Sequence, residues 1–419
     1  MCGITGFWSL NEQEDNNLII LRKMANAINH RGPDNTGFWH DINNSIYFAH
    51  NRLSIIDLSN AGNQPMQSGS GRYVITYNGE IYNHNELKNE LEKNNKLLKW
   101  RGHSDTEILS SLFDKYGIEN AITKCVGMFA FAVWDRKEKK LSLARDRIGE
   151  KPLYYGFSGD NRNNSFLFGS ELSALKKWKY FNNSINKEAL VQLFSYQAIS
   201  SPNSIFNDIF QLKPGHIITI KSPRKELLEN SRCWWNLSST VDNCLNNKFK
   251  SNEEAITSVE NSLKQSISLQ SVADVSIGTF LSGGIDSSLI TALLSSQSSK
   301  KVKTYTIGFE EQEYNEAKYS KEIAKYLDTD HYELILDYDD VIKRIPEVIR
   351  HIESYDVTTI RASVGMYMLS EYISQNHPEK VIFSGEGSDE IFGGYLYFHK
   401  SPSFEEFEKE TTRLVKDLY

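Results

Sequence analysis

Apolar and polar positions follow two different rhythms along the chain. From Met1 to about Leu212, short runs rich in Val, Ile, Phe and Tyr are broken by Gly, Asn and Asp, the pattern of strands joined by tight loops. Residues 72–77, 128–135, 141–144 and 166–168 are predicted strands. Among them, Ser104-Asp-Thr-Glu107 has capping-box spacing: the Ser104 hydroxyl takes the amide three residues on, and Glu107 reaches back. The helix it opens should run to about Tyr116, ahead of Gly117. In the second half, apolar runs at 275–281, 302–309 and 381–384 alternate with helical spacing at 287–295, 316–327, 341–352 and 363–373. Such alternation predicts a parallel sheet with crossover helices.

Between these regions, from about Lys221 to Glu253, the chain turns polar and Asn-rich and contains Pro223, so the expected plan is a first domain over 2–212, a linker over 213–252 and a second domain over 253–419. A length of 419 residues suits two cores. Lys plus Arg number 47 against 54 Asp plus Glu, a net charge of -7, which provides no chain-wide attraction to nucleic acid or an anionic membrane. Apolar runs such as 128–134 are too short to cross a bilayer, and no basic-then-apolar leader opens the sequence. These features point to a soluble, cytoplasmic protein acting on small molecules. The cysteines at 2, 125, 233 and 244 form no Cys-x-x-Cys pair, which argues against a zinc knuckle or a disulfide framework. Three of them read as ordinary, partly buried thiols.

The remaining one, Cys2, has chemistry of its own. Loss of Met1 would leave a thiol and a free α-amine on one residue, a nucleophile with its own base near neutral pH. Arg52, beside a β-rich run, suits a carboxylate. Asn78 and Gly79, following a strand, offer two donors for an oxyanion, although Asn-Gly is also a common turn. Asp105 suits a ligand ammonium group or serves the helix start alone.

Six ordered strings resemble the class II glutamine amidotransferases: Met1-Cys-Gly-Ile-Thr-Gly6, His30-Arg-Gly-Pro-Asp34, Asn51-Arg-Leu-Ser-Ile-Ile-Asp57, Tyr77-Asn-Gly-Glu-Ile-Tyr-Asn83, Ser104-Asp-Thr-Glu107 and Ala144-Arg-Asp-Arg-Ile-Gly149. The resemblance implies a four-layer αββα N-terminal-nucleophile hydrolase. Cys2 would attack the side-chain amide of glutamine, with Asn78 and Gly79 as the oxyanion hole. Arg52 would hold the glutamine α-carboxylate and Asp105 its α-amine, while Leu53, Ser54, Ile55, Ile56 and Glu80 complete the pocket.

In the second half, Phe280-Leu-Ser-Gly-Gly-Ile-Asp-Ser-Ser288 lies between a predicted strand and a predicted helix, where glycine amides, hydroxyls and a helix start suit phosphate. It lacks the Lys and spacing of a Walker loop. It resembles the pyrophosphate loop of the ATP pyrophosphatase family, which implies a parallel-sheet α/β domain. Ser384-Gly-Glu-Gly-Ser-Asp-Glu-Ile-Phe-Gly-Gly394 follows another short strand, and both loops should face one crevice at the strand ends. From Phe280 to Lys400 the chain is similar to the synthetase domain of asparagine synthetases, above all at Tyr355-Asp-Val-Thr-Thr-Ile-Arg-Ala-Ser363 and Gly393-Gly-Tyr-Leu-Tyr-Phe-His399. That resemblance implies ATP contacts at Leu281, Ser282, Gly283, Gly284, Asp286, Ser287, Ile307, Ser384 and Gly385. It further implies Mg2+ at Asp286 and Asp389, and Glu386 supporting a β-aspartyl adenylate.

The family reading expects aspartate, glutamine and ATP as substrates. Ammonia would pass inside the protein, unprotonated and undiluted, and dimers occur in the family. Tyr314-Asn-Glu-Ala317 is either functional or a simple helix start. Relatives with both domains amidate other carboxylates, and a glutaminase or ATP-binding fragment without synthesis is the other alternative. Residues 404–419 read as an amphipathic helix with no partner in the chain, and the synthetase half is expected to be incomplete at its C-terminal end.

Overall fold

The computed structural model describes residues 1–9, 14–94, 99–159, 165–224, 231–245, 249–310, 316–396 and 398–417. The chain divides into two compact units, Met1–Ile256 and Thr257–Tyr419.

The first unit carries strands β1 (Gly3–Ser9), β2 (Asn35–Asp41), β3 (Ile46–Arg52), β4 (Met66–Gln67), β5 (Tyr73–Ile81), β6 (Gly127–Asp135), β7 (Lys140–Arg145), β8 (Tyr154–Ser158), β9 (Ser165–Gly169), β10 (Ile209–Gln211), β11 (His216–Ile220) and β12 (Arg232–Cys233). Among the described residues they form two six-stranded antiparallel sheets, ordered β10-β8-β9-β1-β3-β2 and β12-β11-β7-β6-β5-β4. The helices are α1 (Glu14–Ala27), α2 (His84–Asn94), α3 (Asp105–Tyr116), α4 (Ile118–Lys124), α5 (Leu172–Leu175), α6 (Lys187–Tyr196), α7 (Leu237–Leu245) and α8 (Asn252–Gln270), the last running into the second unit.

The period-2 alternation of the strands produces the layers. On β5, Tyr73, Ile75, Tyr77 and Ile81 pack with residues of α2, α3 and α4, whereas Val74 faces the core shared with the other sheet. On the facing sheet, Ile4, Trp8, Ile46 and Phe48 enter that shared core, and Phe7, Tyr47 and Ala49 pack with α1 and α5. The result is helix, sheet, sheet, helix, the expected αββα arrangement. Trp8 and Trp134 meet edge to face at 5.0 Å in the middle, and Trp134 is fully buried. Truncating such a side chain to Ala typically costs about 3–5 kcal/mol.

Helix α3 starts and stops as its sequence requires. The Ser104 hydroxyl accepts the Glu107 amide at 3.3 Å, and Gly117 ends the helix at φ +75°. The capping box is only half made, however. The Glu107 carboxylate accepts the amides of Arg101 (2.9 Å) and Gly102 (3.0 Å), because the preceding turn folds back over the helix start.

The first unit also extends beyond residue 212. β11 pairs with β7 inside the second sheet, and Ile217, Ile218 and Ile220 are buried, so the apolar alternation at 216–220 outweighs the polar composition around it. Part of the expected linker is therefore structure. Cys125 is buried, while Cys233 and Cys244 are exposed rather than partly buried.

The second unit is built on a parallel sheet of β13 (Ile277–Phe280), β14 (Lys303–Phe309), β15 (Asp330–Leu336) and β16 (Val381–Phe383), ordered β15-β14-β13-β16. Helices α9 (Ile285–Gln297), α10 (Ala317–Tyr326), α11 (Tyr338–Ile352) and α12 (Val357–Asn376) provide the crossovers, followed by α13 (Ser388–Phe392) and α14 (Phe404–Asp417). Helix α12 begins six residues ahead of its expected start because Asp356 caps it, accepting the Thr359 amide at 2.8 Å. β15 was not foreseen, since its solvent-facing residues interrupt the apolar run of an edge strand. Helix α14 does find a neighbour: Phe407 packs edge to face on Phe398 at 5.3 Å. Tyr314 and Asn315 of the Tyr314–Ala317 string lie outside the described residues. Among the described residues, no helix is long and apolar enough to cross a membrane.

Candidate active site

A cleft with about 590 Å³ of empty space opens between the two sheets of the first unit, at the start of β1 and the far end of β5. Cys2, Arg52, Leu53, Ile55, Ile56, Asn78, Gly79, Glu80 and Asp105 all line it. Strings far apart in sequence meet here because β1 pairs with β3, placing Gly3 opposite Asn51. Cys2 therefore lies beside the chain leaving β3. The Leu53 amide donates to Cys2 Sγ at 3.4 Å, and the thiol faces the Leu53 carbonyl at 3.7 Å. Burial pushes the thiol pKa up, and the Leu53 hydrogen bond opposes that shift.

The main chain of Cys2 is clamped from behind. Arg31 Nε donates to the Cys2 carbonyl at 3.0 Å, and Arg31 in turn pairs with Glu171 at 2.9 Å, which also binds His30 Nε2 at 3.0 Å. The His30–Asp34 string thus positions the nucleophile, and its Asp34 carboxylate accepts the Ser54 amide at 2.7 Å. Ser54 lies outside the cleft lining for that reason.

Opposite Cys2, β5 presents two unengaged donors. Asn78 sits on the same face of β5 as Val74, toward the space between the sheets, and its Nδ2 is buried without a hydrogen-bond partner among the described residues. The amide of Gly79 follows by parity. The Tyr77 amide donates to Gln64 Oε1 (2.7 Å) and the Ile81 amide to Asp105 (3.0 Å), both away from β6, while the Tyr82 amide goes to Val126. Strand amides alternate sides, so the Gly79 N–H points from the open edge of β5 between Gln64 and Asp105. A Cβ at position 79 would lie 2.2 Å from the Met128 carbonyl oxygen, so only glycine lets β5 and β6 close here.

Groups of opposite charge flank these donors. Arg52 is gripped by neutral acceptors: Nη1 donates to the Ser59 carbonyl and the Asn63 side chain, both at 2.8 Å, and Nη2 to the Asp57 carbonyl. Its charge is oriented without being neutralised, the condition for receiving a carboxylate. The Asp105 carboxylate accepts from the Tyr77 hydroxyl at 2.8 Å and the Ile81 amide, and burial pushes its pKa up. An ammonium ion placed there would restore the charged form.

Sequence reasoning missed several lining residues, including Gln64, Tyr77, Thr106, Met128 and Lys151. Tyr77 and Thr106 lie inside the matched strings 77–83 and 104–107, which could have marked them, whereas Gln64, Met128 and Lys151 lie outside all six. Burial lowers the pKa of Lys151; burial also raises that of Glu80 to about 7, with the Asp105 charge adding to the rise and the Lys151 charge opposing it.

In the second unit, β13 pairs with β16, so the loops leaving their C-terminal ends are neighbours. Ser388 Oγ donates to Asp286 Oδ1 at 2.7 Å, and a Cβ on Gly385 would lie 3.0 Å from that of Asp286. The first loop is knit by Ser282 and Ser287, whose hydroxyls lie 3.0 Å apart. Gly284 opens α9 without a side-chain cap, leaving helix amides available for an anion. Leu281 is buried beneath this loop, and Ile307 lies on the adjoining β14. Asp286 and Glu386 are exposed, and Asp389 on α13 is half-buried.

A family model described as a glutamine amidotransferase domain matches residues 1–235, and one described as asparagine synthase matches 258–418. An asparagine synthetase [glutamine-hydrolyzing] 2 from Oryza sativa subsp. japonica is 35% identical over 433 residues, covering 100% of this chain and 64% of its own length. A probable asparagine synthetase [glutamine-hydrolyzing] from Dictyostelium discoideum is 32% identical over 432 residues, covering 100% of this chain and 70% of its own. A solved glutamine phosphoribosylpyrophosphate amidotransferase from B. subtilis aligns with 82% of this chain and 92% of its own at 15% identity, with a TM-score of 0.42. The chain spans 64% of the length of the first of these curated relatives.

Proposed function

This chain belongs to the glutamine-hydrolysing asparagine synthetase family, and from that premise we propose that it makes L-asparagine from L-aspartate with ATP and ammonia taken from glutamine. The observation that carries the reading is the convergence of Cys2 with the unpartnered Asn78 amide, Arg52 and Asp105 in one cleft.

Cleavage of the bond ahead of Cys2 frees its α-amine. Arg52 takes the α-carboxylate of glutamine and Asp105 its ammonium, which lays the side-chain amide across the thiol. The thiol proton passes to the α-amine as sulfur bonds to the amide carbon. The carbonyl electron pair moves onto oxygen, where Asn78 Nδ2 and the Gly79 amide stabilise it. Collapse expels ammonia, which takes its proton from the α-ammonium, and water then releases glutamate from the thioester.

Aspartate cannot accept ammonia directly because oxide is a poor leaving group. Transfer of AMP from ATP to its side-chain carboxylate supplies a good one and releases pyrophosphate. Ser282, Gly283, Gly284 and Ser287 surround the pyrophosphate, Leu281, Ile307, Ser384 and Gly385 the nucleoside, and Glu386 faces the adenylate. Magnesium suits the donor chemistry: Asp286 and Asp389 lie in the first turns of the helices that follow the paired loops, and Ser388, next to Asp389, donates to Asp286. An ion with one or two carboxylates, phosphate oxygens and water matches the preference of Mg2+. When bound, it would neutralise charge on the departing phosphates.

The test is incubation of the chain with amide-labelled glutamine, aspartate, magnesium and ATP, with Cys2→Ala as control. Labelled asparagine and AMP from the parent, with labelled product lost in the control, is the expected result. Glutamate and ammonia with neither asparagine nor AMP would limit the chain to glutamine hydrolysis. Turnover with sugar acids and none with aspartate would replace the acceptor.

A further inference from the structure

We propose that Lys151 is a positioning residue for glutamine hydrolysis, a buried ammonium that keeps the α-amine of Cys2 in the neutral form able to take the thiol proton. The inference rests on Cys2 being the nucleophile, as proposed above.

The loop after β7 is built to deliver this side chain. The Asp146 carboxylate accepts four backbone amides, from Gly149 (2.6 Å), Glu150 (2.9 Å), Lys151 (3.0 Å) and Phe129 (3.1 Å). Arg145 donates to the carbonyls of Gly149 (2.6 Å), Lys151 (2.7 Å) and Leu212 (2.8 Å). With the backbone held on both sides, Lys151 is 5% exposed and lines the cleft beside Cys2. Its Nζ lies 2.7 Å from Met1 Sδ, within reach of the chain start, and none of its ion pairs appears among the described residues. Among the described residues its ammonium bonds only to that thioether, with the charges of Glu150, Glu80 and Asp146 acting on it without a direct ion pair; a buried ammonium held so weakly is costly, and its retention calls for a use.

That use is electrostatic. The groups facing the chain start are Arg31 behind the Cys2 carbonyl, Lys151 from the loop after β7, Glu80 from β5, Asp105 from α3 and the Cys2 thiol itself. A neighbouring cation disfavours protonation of an amine, and Arg31 and Lys151 act in this sense while the Cys2 thiol and Glu80 act against them. The amine at Met1 is already held down to about 6, chiefly by burial. Cleavage ahead of Cys2 moves the amine inward by one residue, about 3.8 Å along the chain. The neutral amine then takes the thiol proton as the S–C bond forms, and passes it to the leaving nitrogen as the C–N bond breaks.

The experiment is the pH profile of kcat/KM for glutamine hydrolysis, with mass spectrometry confirming Cys2 as first residue. Removing a positive neighbour raises the pKa of the amine, so Lys151→Met should move the acid limb to higher pH by on the order of one unit, while Lys151→Arg leaves it in place. Lys151→Gln removes the same positive charge and serves as the test if Lys151→Met does not fold. An unmoved limb in the folded Lys151→Met protein, or in Lys151→Gln where Lys151→Met is unfolded, overturns the proposal even when turnover falls. If hydrolysis by the parent survives Cys2→Ala, the nucleophile assignment fails and takes this proposal with it. If Cys2→Ala is inactive but the limb stays fixed, only the role of Lys151 fails.

Discussion

Asn78 and His50 lie on strands of the two facing sheets, and each has one buried nitrogen without a partner among the described residues, for different reasons. Asn78 Nδ2 faces the cleft, so its unmade bond is available to a developing oxyanion. Asn78→Ala should lower kcat for glutamine hydrolysis by roughly 10²–10³ with little change in KM. Its melting temperature should hold, because no bond from that nitrogen is lost; a large fall in stability with unchanged kcat would remove the oxyanion role. His50 is a matter of folding. Its Nε2 donates to the Tyr77 carbonyl at 3.0 Å, tying β3 to β5, and Nδ1 is unpaired in the core. Burial holds its pKa down to about 3 from 6.5. The unfolded chain therefore binds a proton that the folded chain refuses, so this contribution is intact above about 6.5 and is lost progressively as pH falls toward 3. The urea midpoint of the parent should fall through that window. His50→Gln, which keeps a donor for Tyr77, should flatten the slope; an equal slope in both proteins would place the acid sensitivity elsewhere.

Among the elements, strand parity and strand adjacency decide which groups are free. β5 outlasts its partner β4, so beyond Ile75 its outer edge has no strand beside it among the described residues, and its amides are met by Gln64, the cleft and Asp105 in turn. In the second unit, the pairing of β13 with β16 sets two loops side by side. Gly283 lies in the first at φ +84°, and a Cβ there would fall 2.7 Å from the Ser320 amide. A left-handed non-Gly residue costs roughly 1–2 kcal/mol before any clash, and the loop must move to accept it. Gly283→Ala should cut ATP-dependent AMP release at least tenfold while glutamine hydrolysis without ATP is unchanged. AMP release at the parental rate would mean that this turn does not hold the pyrophosphate.

For the whole chain, the labelled-glutamine experiment asks whether two half-reactions run together, and Cys2→Ala with Gly283→Ala separates them. Local pattern was enough for much of what precedes this. Period-2 and period-3.6 spacing placed β6, β7, β9, β14, α9, α10 and α11, because such spacing records which face of an element avoids water. Cys2, Arg52, Asn78 and Asp105 were legible through ordered strings, since each string carries its own turn or cap. Other features had no local signature. β11 joined a sheet through its pairing with β7, Glu107 turned to Arg101 and Gly102, and Ser54 was drawn to Asp34. Gln64 and Lys151 reached the cleft from segments whose composition marks no ligand. These depend on contacts between residues far apart in sequence, where the cost of burying an unpaired polar group selects a partner that only the folded chain brings within reach. The sequence by itself determined the elements and the chemistry available to them; the tertiary structure decided which donors stayed free and which charges had to share a buried space.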